Sequence, residues 1–501
     1  MEDNSKRPEQ EQVRFEKLEK LVESGFDYPN DVFQSAFSTD LLNTEIKEAE
    51  QSERFTIAGR MVQVRRMGKA AFAHILDAKG KIQVYLRKDD VGEAAYEQFN
   101  STDIGDLFEV KGYLFKTKTG ETTLYAEGVR LLSKALIPLP EKWHGLQDVE
   151  IRYRERYLDL ISNPDVREVF KTRARIISLL RQFLDRHDYL EVETPVLYGT
   201  AGGAVARPFE TIYNALDAKM SLRIALELPL KKLVVGGLDR VYEIGRVFRN
   251  EGFSKKHNPE FTMLEFYCAY LDFERMMEFV EEMLSTVVKE ITGSTKIKYA
   301  DKEVDFTPPW TRISMHDSIH RIGGVPDSFN LDTLEGALLA AKEYKVEIDK
   351  QDLNDWGRVL DALWGELVEP KLINPTFITH HPYSISPLAR KNKQDPKTTD
   401  RFELIVASME LVNAFSELND PVDQRQRFVE QIDRKETAND NEANAIDEDF
   451  LRAIEFGLPP TAGTGVGIDR LVMLLTDSPS IREVLLFPQL KPLDHEEKSE
   501  L

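Results

Sequence analysis

Apolar residues recur at two different spacings in the first part of this chain. Between residues 11 and 25 they form one helical stripe that stops at Gly25, which predicts an amphipathic helix. Residues 54 to 132 instead contain five short runs in which apolar and polar positions alternate, with turn signals at Lys79-Gly80 and Thr119-Gly120. Five short strands in about eighty residues predict a small closed β-barrel.

The rest of the chain is longer and mixes both spacings. A helical pattern begins at Val166 and runs to about His187, and strands and helices alternate from there to the C-terminus. The predicted class is therefore α+β, with an OB-fold as the leading candidate for the barrel. We predict four segments: a helical extension (1–50), the OB-fold domain (51–135), a linker (136–165) and a large domain (166–501).

Composition narrows the class of protein. The 501 residues are 41% hydrophobic and 31% charged, which is typical of a soluble globular protein. No apolar run reaches the length of a membrane span, and the polar start lacks the apolar core of a secretory signal. The single cysteine, Cys268, excludes internal disulfides and a multi-cysteine zinc site. We expect a cytoplasmic protein without a membrane partner.

Net charge alone argues against a nucleic-acid partner. The chain carries −21, whereas phosphate contacts need Lys and Arg. Residues 51–90, however, hold nine Lys/Arg and four Asp/Glu, a local charge of +5. A basic segment in an acidic protein fits a localised nucleic-acid contact, but it fits an ordinary solvated surface equally well.

The densest chemistry lies in Phe248-Arg-Asn-Glu251 and His257-Asn-Pro-Glu-Phe261. Apolar, β-prone residues precede the first string and aromatic residues follow the second, so the pattern predicts a hairpin with a polar loop. In such a hairpin Arg249 can hold an anion while a flat ring stacks on Phe261, as nucleotide binding requires. The alternative for each residue alone is a surface ion pair or a core phenylalanine.

Two later segments also carry candidate chemistry. Gly463-Thr-Gly-Val-Gly467 leads to Arg470 before an apolar helix, which favours an anion near the helix start, although a glycine turn before a buried helix explains it too. Glu403, Glu410 and Glu417 recur every seven residues on apolar strands. Asn413, Phe415 and Glu417 share one strand face, whereas Glu410 joins them only through a bulge. Exposed strand-edge glutamates are the alternative.

Together these segments resemble the class II lysyl-tRNA synthetases over nearly the whole chain. The helix followed by Asp188–Pro195, the Phe-Arg-Asn-Glu hairpin and the segment ending at Arg470 match the three class II signatures. Phe415-Ser-Glu-Leu-Asn-Asp420 is specific to the lysine enzymes. The resemblance implies an antiparallel catalytic sheet in a homodimer, which converts L-lysine and ATP to lysyl-adenylate and passes the lysyl group to tRNA(Lys).

The resemblance also implies residue roles. Arg249 and Arg470 would be catalytic and would bind ATP together with Glu251, His257 and Phe261, while Glu403 and Glu410 would hold Mg²⁺. Six residues would surround the substrate lysine: Glu227, Glu265, Tyr267, Asn413, Phe415 and Glu417. Four would read the anticodon: Arg65, Phe72, Gln83 and Glu127.

Within the lysine set, Glu417 would pair with the ε-ammonium group and Glu227 with the α-amino group. The chain departs from the family near Glu227, where it reads Ala225-Leu-Glu-Leu-Pro-Leu230 instead of the common Ala-Pro-Glu-Leu-Tyr-Leu.

Two rival interpretations belong to other functional classes. A protein-modifying lysyl transferase of this family would resemble the catalytic domain alone, so the barrel argues against it. A non-catalytic, tRNA-binding paralogue would have lost some of Arg249, Glu403, Glu410 and Arg470, and all four are present.

Overall fold

The computed structural model describes residues 7–46, 53–140, 146–199, 202–204, 206–252, 254–438 and 446–493. It divides into two compact units, Met1–Leu146 and Gln147–Leu501. Within the described ranges, no helix is long and apolar enough to cross a bilayer.

The first unit is a closed five-stranded barrel with short helices. Its strands follow the order β1-β2-β3-β5-β4, and β4 pairs back onto β1, as expected for an OB-fold. The strands are β1 (Phe55–Met67), β2 (Ala70–Leu76), β3 (Lys81–Arg87), β4 (Leu107–Lys116) and β5 (Thr122–Ser133). The helices are α1 (Glu9–Glu23), α2 (Ser38–Leu42), α3 (Lys88–Val91) and α4 (Glu93–Asn100).

Alternation explains the barrel. In β2 the side chains of Ala71, Ala73 and Ile75 are buried in the interior, whereas Phe72 and His74 lie on the outer face. The same period governs β3. The predicted helix at residues 11–25 is present as α1, but only Leu21 of its apolar stripe is buried. In this unit, strand alternation therefore predicts which side chains are buried better than helical spacing does.

The second unit is built on an eight-stranded sheet of order β14-β15-β16-β17-β18-β11-β10-β6. Pairs are antiparallel in its centre and parallel at the two edges, β14 with β15 and β10 with β6. The strands are β6 (Leu190–Glu191), β7 (Leu197–Tyr198), β8 (Glu210–Tyr213), β9 (Ala218–Leu222), β10 (Arg240–Phe248), β11 (Glu260–Ala269), β12 (Lys296–Tyr299), β13 (Lys302–Asp305), β14 (Thr311–Ser314), β15 (Thr376–Thr379), β16 (Arg401–Val406), β17 (Met409–Ser416) and β18 (Thr461–Gly467).

Helices cover one face of this sheet. Apolar residues of α7, α9 and α15 form one core with the sheet, and α11 and α12 form a second core beside β14 and β15. The helices are α5 (Val149–Arg154), α6 (Arg156–Ser162), α7 (Pro164–Arg186), α8 (Glu227–Val235), α9 (Phe273–Thr292), α10 (Met315–Ser318), α11 (Leu334–Tyr344), α12 (Trp356–Leu367), α13 (Pro421–Ala438), α14 (Glu448–Glu455), α15 (Ile468–Leu475) and α16 (Ile481–Val484). The predicted α+β class, with an antiparallel-rich sheet after a barrel, is confirmed.

Candidate functional sites

Strand alternation separates the functional face of the large sheet from its core face. In β11, Leu264 and Phe266 are buried in the core with α7 and α9, whereas Glu265 and Tyr267 point to the opposite face. Phe261 has the same parity as Glu265 and lines a cavity there. The hairpin predicted around Arg249 is formed by β10 and β11, with Phe248 opposite Glu260.

The glycines of β18 form the floor of this face. Gly465 pairs with Glu265 on one side and with Asn413 on the other, and Gly463 lies in the same way between Tyr267 and Phe415. These glycines therefore belong to a central strand and not to a turn. A Cβ atom on Gly463 would lie 2.1 Å from Oε1 of Glu417. Only glycine at that position leaves room for the two flanking side chains.

A cavity of about 470 Å³ lies above this floor. The structure brings nine of the predicted residues to its lining: Arg249, Glu251, His257, Phe261, Glu265, Glu410, Asn413, Phe415 and Arg470. Four other predicted residues of this unit, Glu227, Tyr267, Glu403 and Glu417, are not among the described lining residues.

Arg249 and Arg470, the two arginines predicted to bind ATP, both line the cavity. The guanidinium group of Arg249 lies 5.1 Å from the centre of the Phe261 ring, and burial lowers its pKa. Arg470, in the first turn of α15, donates to the backbone carbonyl of Glu410 and lies 3.4 Å from Nε2 of His257. Its neighbour Asp469 is paired instead with Arg173, at 2.6 Å. Arg470 also pairs with the Glu410 carboxylate at 3.5 Å, and Arg249 donates to the backbone carbonyl of Ile224. Both guanidinium groups line the cavity, where their remaining N–H groups can bind an anion.

The bulge that Glu410 needed is present in β17. The pairing of β16 with β17 shifts so that Leu404 faces Val412 and Ile405 faces Glu410. Leu411 and Val412 are consequently both buried, and Glu410 joins the face of Asn413.

Glu403 lies on β16 directly opposite Asn413 and forms an ion pair with Arg401. Glu403 and Glu410 both contribute to raising the pKa of Glu369, whose main cause is burial. The carboxylates of Glu403 and Glu410 therefore both lie close enough to Glu369 to raise its pKa. No group of three or more His, Cys, Asp or Glu side chains able to hold a metal occurs in the described ranges. A cation here would need oxygen ligands from a substrate, which is how Mg²⁺ is commonly held beside phosphates.

The three predicted acids of the lysine set, Glu227, Glu265 and Glu417, form a buried cluster. Glu265 accepts hydrogen bonds from the backbone N–H of Leu226 (2.9 Å) and the hydroxyl of Tyr267 (3.1 Å). Burial, with a further contribution from Glu227, raises the pKa of Glu265 to about 7.

Glu227 and Glu417 share one ammonium group, that of the fully buried Lys231. Sequence reasoning missed Lys231. The available signal was its i, i+4 spacing from Glu227 on an otherwise apolar helix.

Pro229 does not displace Glu227. It occupies the first turn of α8, where a missing N–H breaks no helical hydrogen bond. Glu227 begins that helix and stays buried.

The outer face of the barrel carries a row of aromatic side chains. Arg65 pairs with Phe72, Phe72 with Tyr85, Tyr85 with Tyr125 and Tyr125 with Tyr113, across five strands. The Phe72 and Tyr85 rings are 4.6 Å apart, and the rings of Tyr113 and Tyr125 stack at 5.1 Å. Arg65 is exposed at one end of this row. Exposed cations beside half-buried rings suit single-stranded nucleic acid.

Gln83 lies in the next row and is held by two neighbours. Its amide donates to Glu121 (2.9 Å) and accepts from the Thr123 hydroxyl (2.8 Å). The predicted Glu127 lies four residues beyond Thr123 on β5, where its carboxylate binds Arg54 at 3.0 Å. The structure thus groups Glu121 with Gln83 and sets Glu127 apart. In the sequence, the feature that could have indicated Glu121 is its position directly after the turn at Gly120.

Comparison with known proteins agrees with this arrangement. A family model described as tRNA synthetases class II (D, K and N) matches residues 148–491, and one described as OB-fold nucleic acid binding domain matches residues 55–132. The chain belongs to the class II tRNA synthetases of the D, K and N group.

Several curated relatives of this synthetase are similar over almost their entire length. A protein of Dehalococcoides mccartyi is 53% identical over 492 residues, covering 97% of this chain and 98% of that protein. Proteins of Bacillus subtilis (50% identity, 96% and 97% coverage) and Moorella thermoacetica (51%, 96% and 97%) are similar to the same extent. All three relatives are named lysine–tRNA ligase. The similarity to these relatives therefore extends over both units of the chain.

Proposed function

We propose that this chain is a lysine–tRNA ligase, which activates L-lysine with ATP and transfers it to tRNA(Lys). The observation that carries the proposal is a cavity lined by two predicted ATP-binding arginines beside a buried acidic cluster. Arg249 and Arg470 supply the cations, and Glu227, Glu265 and Glu417 supply the carboxylates. The full-length similarity to relatives of that name supports it.

In the first step an oxygen of the lysine carboxylate attacks the α-phosphorus of ATP. The bond from that phosphorus to the bridging oxygen breaks, and pyrophosphate leaves. Arg249 binds the α-phosphate and the lysine carboxylate, Phe261 stacks on adenine, and Arg470 binds the γ-phosphate. Glu251 and His257 complete the ATP site. Its cations stabilise the charge that develops during in-line attack, so positioning and charge supply the catalysis without a general base.

Glu403 and Glu410 are the proposed ligands of Mg²⁺. Two carboxylates with substrate phosphates suit this hard cation, which usually keeps few protein ligands. When bound, the ion neutralises phosphate charge during the displacement. Arg401 holds Glu403 in place through their ion pair.

The acidic cluster selects the amino acid by charge. We assign Glu417 to the ε-ammonium group of lysine and Glu227 to its α-amino group. Tyr267 and Glu265 border the pocket through their hydrogen bond, and Asn413 and Phe415 form its wall. A substrate without the second ammonium group leaves a buried carboxylate poorly paired, so the site rejects it.

In the second step a hydroxyl of the terminal ribose of tRNA attacks the lysyl carbonyl, and AMP leaves. The barrel reads the anticodon of that tRNA. Phe72 stacks on a base and Arg65 supplies charge, as in other single-strand readers. We add Glu121 to Gln83 as an edge reader because the two side chains are hydrogen-bonded, and we assign the separate Glu127 only to the rim.

The proposed enzyme is a cytoplasmic homodimer. Exposed apolar side chains beside β6 and β7 support a partner on that edge: Leu190, Val196 and Leu197 are each at least 40% exposed. Isolated exposed apolar residues are ordinary, but three within eight positions, from the edge strand β6 to the start of β7, favour a covered surface.

Transfer of labelled lysine distinguishes this function from its rivals. Purified protein with ATP and Mg²⁺ is expected to charge unfractionated tRNA with lysine and to leave added protein substrates unlabelled. Label on protein would favour the modifying transferase, and binding of tRNA without any charging would favour the non-catalytic paralogue. The OB-fold match and the presence of all four diagnostic residues support the first outcome.

A further inference from the structure

Lys231 is a buried cation, and the reaction proposed above assigns no role to it. Its side chain has no exposed surface, although it stands on a helix beside the substrate pocket. The ammonium group contacts Oε1 of Glu227 and Oε2 of Glu417. The rings of Phe415 and Phe450 lie 5.4 and 5.7 Å from it and exclude water. Burying an ammonium ion this deeply is costly unless it is paired, and here it has two anionic partners.

The surrounding charges match a substrate with two ammonium groups. Glu227, Glu265 and Glu417 contribute three carboxyl groups, and Lys231 contributes one positive charge. With the carboxyl groups ionised, the cluster carries two net negative charges. The α-amino and ε-ammonium groups of lysine supply two positive charges, while its carboxylate is assigned to Arg249. Burial raises the pKa of Glu227, and the Lys231 ammonium group and, more weakly, Arg401 oppose that rise.

The two carboxylate oxygens of Glu417 have different surroundings. Both of its oxygens are buried, and neither has a hydrogen-bond partner of good geometry among the described residues. Oε2 forms the ion pair with Lys231, whereas no ion pair is present at Oε1 within the described ranges. Burial raises the pKa of this carboxyl, the nearby Lys231 ammonium opposes the rise, and Glu227 and Glu265 add to it. The two carboxylates in turn raise the pKa of Lys231 against the effect of burial, so its charge persists. Tyr267, which donates a hydrogen bond to Glu265, has its pKa raised by burial and stays neutral.

We propose that Lys231 is a positioning residue for amino-acid specificity: its ammonium group holds Glu227 and Glu417 ionised before the substrate arrives. The inference rests on the proposed function, since it concerns the same lysine pocket. Each carboxylate uses one oxygen on Lys231 and offers the other to a substrate ammonium group. Without this resident cation a buried glutamate takes up a proton, and that proton has to leave before a cationic substrate can bind.

The test compares Lys231→Met with Lys232→Met in lysine-dependent ATP–pyrophosphate exchange. Lys232 follows on the same helix but pairs with Asp449 at the surface, so its variant is the matched control. At pH 7 we expect the lysine KM of Lys231→Met to exceed that of the control by about 100-fold, with the ATP KM of both within about threefold. The ratio of the two lysine KM values should then fall by up to about tenfold per pH unit towards pH 9. The ratio cancels ionisation of the substrate itself.

Rescue by alkaline pH separates this role from a merely structural one. Lys231→Arg keeps a cation at this position. The ratio of its lysine KM to that of Lys232→Met should therefore not depend on pH. A pH-independent loss in Lys231→Met, or no loss relative to Lys232→Met, would overturn the inference. If Lys231→Met does not fold, Lys231→Gln replaces it, because it is neutral and retains a hydrogen-bond donor.

Calorimetry on the unmodified protein tests the role of Lys231 independently of the variants. Calorimetric titration with lysine at pH 8, in two buffers of different ionisation enthalpy, should show less than about half a proton released per site. Release of a full proton would mean that a carboxyl group is neutral in the empty pocket and would contradict the role of Lys231. Absence of any lysine binding or exchange by the unmodified protein would instead refute the proposed function.

Discussion

Replacing Gly463 with alanine adds one methyl group to the floor of the predicted lysine pocket. The new Cβ would lie 2.1 Å from Oε1 of Glu417 and 2.3 Å from Cε1 of Tyr267, whereas ordinary contact begins at 3.4 Å. Each neighbour must therefore move by about 1 Å or more. Both are buried on a packed sheet and cannot move freely.

The expected loss follows from that displacement. A misplacement of about 1 Å in a positioned group costs on the order of 100-fold in rate, or ~2.7 kcal/mol of transition-state stabilisation. We expect Gly463→Ala to lower kcat/KM for lysine in ATP–pyrophosphate exchange by about 100-fold and to leave the ATP KM within about threefold. Overpacking should also lower the free energy of unfolding by roughly 1–3 kcal/mol, measured by urea denaturation.

Gly467→Ala is the matched control. This glycine lies on the same face of β18, and its added Cβ would meet Arg470 Cδ at 3.6 Å, an ordinary contact. Its lysine kcat/KM should stay within about threefold of the unmodified protein. If Gly463→Ala kept normal lysine kinetics while folding stably, the pocket would not lie against Gly463 and the assignment of Glu417 would be wrong.

Three other changes test separate parts of the site. Glu417→Gln should reduce lysine kcat/KM by more than about 100-fold in the exchange assay and change the ATP KM little, whereas an equal loss for both substrates would remove its assigned role. Burial raises the pKa of Glu265 to about 7, so its carboxyl is mostly protonated at pH 6 and ionised at pH 8. Because the ionised form attracts a cation, the lysine dissociation constant should fall by about tenfold over that range, and calorimetry of Glu265→Gln should show no such fall. Glu121→Ala should weaken tRNA charging by about tenfold without affecting exchange, whereas Glu127→Ala should change charging less than threefold; the opposite order would return the anticodon role to Glu127.

Local periodicity predicted the elements that carry the site. Alternation gave the barrel strands and the β10–β11 hairpin, because the period of a half-buried strand is set by its own side chains. The same alternation showed that Glu410 needed a bulge to reach Asn413, and β17 contains it.

Contacts between distant segments could not be predicted in this way. Lys231 and Glu417 are far apart in sequence, and only the packing of α8 beside the end of β17 brings them together. Glu121 joins Gln83 because β3 and β5 pair in parallel, a pairing that no local pattern reveals. The glycines around Gly465 resembled a turn because a central strand usually carries larger side chains, and here the ligand face requires their absence.

The central claim is that the acidic cluster selects lysine for activation, and amino-acid-dependent ATP–pyrophosphate exchange tests it most directly. Purified protein with Mg²⁺ and ATP should be assayed in parallel with lysine, ornithine, arginine, norleucine and aspartate. The account predicts exchange with lysine at a kcat/KM at least about 100-fold above that with norleucine, which lacks the ε-ammonium group. Exchange with norleucine or aspartate as fast as with lysine, or no exchange with lysine in well-folded protein, would contradict it.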